Sequence, residues 1–168
     1  MVRIAALVAA AFACTAHAAS PAPEIQRPAA TAQATGTVHT VRTIPEACAR
    51  LEGKFTGQAG TPYALAPVRT SANCQPRAQL VDPAKAKPSQ ATGWILNDVI
   101  RVPSAACAQQ VAQVSVWRKP AAKAAPPKLD AQGKSRIYLQ DANRKARAGQ
   151  LNAVPQFAAV LQVSGRCG

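Results

Sequence analysis

The sequence predicts an α+β fold: a small, mainly antiparallel sheet of five or six short strands with two short helices, stabilised by disulfides. Three observations point there. Apolar residues follow a helical spacing near residue 50 and then shift to alternation in several short runs. Large apolar side chains are scarce. The 48% hydrophobic content rests on 39 alanines, and from residue 19 onward Leu, Ile, Val and Phe make up only 27 of 150 residues. A core that poor offsets chain entropy with difficulty. Finally, Cys48, Cys74, Cys107 and Cys167 form an even set that can staple such a chain.

Residues 1–18 read as a secretory signal peptide. Arg3 supplies the positive start, an apolar run follows from Ile4 to Phe12, and Ala16-His17-Ala18 is a small-x-small cleavage site. The run is shorter than the roughly 20 residues that span a bilayer. Cys14 raises a lipoprotein alternative, but Ala11, Phe12 and Ala13 before it fit lipidation poorly. The expected destination is the periplasm or the medium outside the cell, after cleavage near Ala18. Residues 19–36 are rich in Ala, Pro, Thr and Gln, with Ile25 as the one large apolar side chain, and read as a disordered leader. Residues 37–168 are then a single secreted domain.

Within it, residues 37–44 are β-branched and suit an extended segment. A short helix is expected next. Thr43-Ile44-Pro45-Glu46 has capping-box spacing, Cys48, Leu51 and Phe55 fall on one helical face, and Gly53 can end the helix. Alternation in residues 63–69 predicts a strand that Pro67 confines to a sheet edge. Residues 77–82 read as another strand. Residues 93–102 are the most hydrophobic part and form one long strand or a hairpin turning at Asn97-Asp98. The segment 111–117 is expected to be a strand in its second half, and 136–139 and 157–163 complete the set. Residues 141–149 read as a helix between Asp141 and Gly149.

The oxidising compartment favours two disulfides, and Cys48–Cys74 with Cys107–Cys167 is the preferred pairing of three. The cysteine spacings lack the paired clusters of a zinc site, so no metal is expected. No phosphate-cradling Gly loop, dinucleotide fingerprint or Ca²⁺ loop is present, so no cofactor is expected. After residue 18 the single histidine is His39, without a nucleophile motif to serve. Each of the seven acids has an ordinary reading except Asp98, set within the most apolar segment. It is read as a turn residue, with a carboxylate in a pocket as the alternative.

The positive signal is charge. The whole chain has 20 Lys and Arg against 7 Asp and Glu. Between residues 118 and 147 lie Arg118, Lys119, Lys123, Lys128, Lys134, Arg136, Arg144, Lys145 and Arg147, against Asp130 and Asp141. Such a concentration attracts polyanions through several charges at once. The function expected is noncatalytic binding of an anionic polymer or an acidic protein surface by this loop-helix region. The alternatives are a protein-interaction or inhibitor module, and an enzyme with a carboxylate site around Asp98. Charge kept for solubility alone would look the same in the sequence.

Overall fold

Strand pairing dominates the chain. The computed structural model describes residue 23 and residues 25–89, 94–121, 144, 147–150 and 154–167. In order, the elements are β1 (Ile25–Gln26), β2 (His39–Ile44), a 3-10 turn (Pro45–Ala47), β3 (Ala49–Phe55), β4 (Tyr63–Arg69), β5 (Gln79–Leu80), α1 (Pro83–Ala86), β6 (Ile95–Pro103), β7 (Val111–Lys119) and β8 (Gln156–Ser164). They form two sheets: a five-stranded one ordered β1-β6-β7-β8-β5 and a three-stranded one ordered β2-β3-β4. The long neighbours pair antiparallel, and the two-residue strands β1 and β5 pair parallel at the edges. The molecule is thus mostly sheet with little helix, as expected in outline. The described residues form two sheets where one was expected, with eight strands rather than five or six.

The two sheets pack face to face. Ile44 and Leu51 of the smaller sheet meet Val114, Val116 and Phe157 of the larger. Phe55 and Tyr63 meet Ile100, Val102 and Ala112. On β7 the alternation is clean: Ala112, Val114 and Val116 are fully buried, while Val111, Gln113, Ser115 and Trp117 are half-buried on the other face. That is the period of two that a sandwich core demands.

The short helix expected after Thr43 is replaced by one 3-10 turn and then strand β3. Cys48 takes a left-handed conformation, φ 52°, and ends the turn. Leu51 and Phe55 lie four apart, a spacing that satisfies both a helix face and a strand face. Ala49 and Gly53 share their buried side, which only a strand allows. Pairing with β2 on one side and β4 on the other satisfies the backbone, so tertiary context overrides the local signal. Gly53 does not end a helix. It sits mid-strand because the Tyr63 ring lies over it, and a methyl group there would overlap the phenol.

Of the segment 93–102, residue 93 lies outside the described residues and the rest holds one strand from Ile95 rather than a hairpin, so Asp98 is no turn residue. β6 pairs with β7 from Ile95 to Pro103, with an irregularity between Leu96 and Asp98. Strand β5 is shorter than the predicted segment 77–82, and β7 begins at Val111 rather than in the second half of its segment. β4 does lie at a sheet edge, as Pro67 implied. The predicted strand 136–139 lies outside the described residues, as does most of the predicted helix 141–149. Within that segment Ala148 N–H donates to the Arg144 carbonyl at 3.0 Å.

Residues 25–36, part of the segment read as a leader, run beside β6. Ala30 N–H donates to the Arg101 carbonyl at 2.8 Å and Gln33 N–H to that of Pro103 at 2.9 Å. Gln33 pairs with Ser104 and Thr35 with Phe55, so the segment passes from the larger sheet to the smaller. The disulfides pair as preferred. Cys48–Cys74 fastens the 3-10 turn to the loop after β4, with Cα atoms 5.7 Å apart. Cys107–Cys167 fastens the β6–β7 connection to the chain beyond β8, with Cα atoms 5.5 Å apart.

Candidate functional site

Of the nine basic residues proposed for ligand binding, Arg118 and Lys119 lie side by side at the end of β7. Arg118 is partly engaged within the fold. Its Nη2 lies 3.7 Å from Glu46 Oε2, and its guanidinium carbon lies 5.9 Å from the centroid of the Phe157 ring. Lys119 pairs with Gln156 at the start of β8. Arg144 and Arg147 are exposed and one helical turn apart. Lys123, Lys128, Lys134, Arg136 and Lys145 lie outside the described residues.

The described carboxylates are all engaged by partners in the fold. Glu46 faces Arg118, and Glu52 accepts from Arg50 Nε at 2.8 Å. Asp82 caps α1, its Oδ1 accepting from Ala84 N–H at 2.9 Å. Asp98 faces two arginines.

Asp98 is the most unusual of the four, because its side chain is completely buried. Two bulges put it there. In β6 the irregularity before Asp98 sets it opposite Val116, on the inward face shared with Ile100 and Val102. In β2 the irregularity between Thr40 and Arg42 sets Arg42 opposite the buried Leu51. Arg42 Nη1 therefore reaches across the sandwich to Asp98 Oδ2 at 3.3 Å, and Arg27 Nε, just after β1, donates to the same oxygen at 2.7 Å. The other oxygen, Oδ1, is buried with no hydrogen-bond partner among the described residues. One carboxylate thus joins three segments: the N-terminal strip, β2 and β6. The sequence signalled Asp98 by its apolar neighbours but carried no sign of Arg27 or Arg42, because bulges are set by strand pairing.

His39 and Tyr63 form a second polar contact, between β2 and β4 at the two edges of the smaller sheet, across Gly53 of β3. His39 Nε2 lies 2.8 Å from the Tyr63 hydroxyl, and the Tyr63 ring packs edge-on against Phe55 at 4.9 Å between centroids. Burial pushes the Tyr63 phenol up to about 12. The pair fastens His39 to the core side of its sheet, an arrangement that the lone histidine in the sequence did not indicate.

A cavity of about 250 Å³ opens on the opposite side of the sandwich, between β4 and the β5–α1 corner. Its walls are Leu51, Leu65, Pro67, Leu80, Val81, Asp82, Pro83 and Ala159. Asp98 is not among them. Among the described residues no group of three or more His, Cys, Asp or Glu side chains is placed to hold a metal ion. Nor is any helix among them long and apolar enough to cross a membrane. Comparison of the chain with protein-family models, with curated proteins and with solved structures finds no match.

Proposed function

We propose that the chain is an exported, noncatalytic binding protein that engages anionic ligands through the basic region of residues 118–147. The observation behind this reading is the charge balance. Nine basic residues and two acids fall in that region, and the described acids elsewhere are engaged by partners in the fold. A surface of this kind holds phosphates or sulfates on a polymer by several weak contacts at once. Export follows from residues 1–18, with cleavage after Ala18, and two disulfides suit an oxidising compartment.

Salt titration tests the binding. Affinity of the oxidised chain from residue 19 for heparin should fall linearly with salt on logarithmic axes. Replacing Lys119, Lys123 and Lys128 by Gln, or Arg144, Lys145 and Arg147 by Gln, should flatten that slope. Replacing Lys54, Arg101 and Arg166, which lie elsewhere, should change it far less. Equal effects from all three sets would reduce the attraction to net charge, and absence of binding at low salt would remove the proposal.

A further inference from the structure

The two disulfides differ in access. Cys48 is 4% exposed, and its partner Cys74 is half-buried in a loop that the Arg69 guanidinium clamps. Arg69 Nε donates to the Ser71 carbonyl at 2.9 Å, and its Nη2 to those of Ala72 and Cys74 at 2.8 and 3.0 Å. Cys107 is also half-buried, but its partner Cys167 is exposed. Exchange with a thiol requires a thiolate to reach one sulfur of the bond, so access governs the rate. How far a bond stabilises the fold is a separate matter, set by the loop it closes.

The surroundings of Cys107 and Cys167 accommodate an open form as well as a closed one. Gly165, at φ 79°, lets the chain beyond β8 lie on the Gln109 carbonyl, where a methyl group would overlap it. The Arg166 carbonyl then lies 3.3 Å from Cys107 Sγ, and Gln110 Oε1 lies 3.8 Å from Cys167 Sγ. Each thiol thus has an acceptor in place once the bond opens. The connection that carries Cys107 also holds the N-terminal strip. Ala105 N–H donates to the Gln33 carbonyl at 2.8 Å, next to the bond from Gln33 N–H to Pro103. Ser104 N–H donates to the Gln110 carbonyl, and Gln110 N–H to that of Cys107. The anchor of the strip and the cysteine therefore belong to one hydrogen-bonded loop.

We propose that Cys107–Cys167 is a site of thiol–disulfide exchange with an external dithiol, and that its opening loosens the N-terminal strip at Gln33. The attacking thiolate bonds to the exposed Cys167 Sγ, and Cys107 leaves as a thiolate. The second thiolate of the reagent then attacks its neighbour's sulfur in the mixed disulfide and frees Cys167. Two electrons pass from the dithiol, which ends as a disulfide, to the cystine, and the two protons end on Cys107 and Cys167. Cys48–Cys74 stays closed and keeps the 3-10 turn fastened. The site shares no residue with the 118–147 region, so this exchange and the binding of anions stand or fall separately.

Timed treatment of the oxidised chain with dithiothreitol, without denaturant, tests this. Thiols are trapped with iodoacetamide and located by peptide mass mapping. Cys107 and Cys167 should be labelled about tenfold faster than Cys48 and Cys74. With glutathione, a monothiol, the adduct should sit on Cys167 while Cys107 is alkylated. Hydrogen exchange at the Gln33 and Ala105 amides should speed severalfold in the opened chain, while Ala112 and Val114 in β7 stay protected. Cys107→Ser with Cys167→Ser should show the same fast amides with no thiol released early. Cys48–Cys74 opening first or in step with the other bond, glutathione on Cys107, or unchanged exchange at Gln33 and Ala105 after opening would each overturn the proposal.

Discussion

Removing the two cations that face Asp98 should destabilise the protein more than removing Asp98 itself. In the double variant Arg27→Gln/Arg42→Gln the carboxylate keeps its place, fully buried, with one oxygen already lacking a partner. Stranding a buried charge in this way costs about 3–5 kcal/mol. In Asp98→Asn the charges left behind are guanidiniums that are 43% and 25% exposed, and these turn toward water. The loss is then the charged hydrogen bonds alone, about 1.5–3 kcal/mol. Adding Asp98→Asn to the double variant should therefore restore about 2 kcal/mol, the difference between those costs. Urea unfolding with the disulfides intact measures it, as a rise of about 1 M in the midpoint for a chain of this size. A triple variant no more stable than the double would refute the reasoning, because the carboxylate would then carry no desolvation cost. Hydrogen exchange gives an independent reading. Arg27→Gln alone should speed exchange at Ala30 and Gln33, whose amides tie the N-terminal strip to β6.

High pH should weaken the fold through Tyr63. Its phenol ionises near 10 when unfolded and at about 12 in the fold, so the neutral form is the one the fold favours. Its contribution is fully present below pH 10 and is lost as pH rises to 12, by at most about 3 kcal/mol. One of the chain's two tyrosines should accordingly give a late tyrosinate absorbance step that Tyr63→Phe abolishes; a single step near pH 10 for both would contradict it. Replacing Cys48 and Cys74 by Ser should cost about 3.5 kcal/mol, and replacing Cys107 and Cys167 about 4.3, because the second bond closes the longer loop. Denaturant midpoints of the two variants give the order, and the reverse order would count against a loop-entropy origin.

Local patterns in the sequence determined a good deal. Alternation marked β4, Pro67 marked an edge, and four cysteines in a chain short of large apolar residues marked two staples. The concentration of charge in residues 118–147 is likewise a property of the sequence itself. Local pattern misled where one spacing served two periods. Leu51 and Phe55, four residues apart, fit a helix face, and only pairing with β2 and β4 made them alternate members of a strand. Asn97-Asp98 has turn chemistry, yet a bulge within β6 absorbed it, because nine residues of pairing with β7 outweigh a two-residue turn preference. Tertiary structure alone decided what Asp98 touches and where the cavity between β4 and the β5–α1 corner opens. Arg27 and Arg42 stand 71 and 56 residues from Asp98, and the cavity lies between edges of two different sheets. Contacts at such separations depend on sheet order and register, which arise from the packing of the whole chain rather than from any one segment.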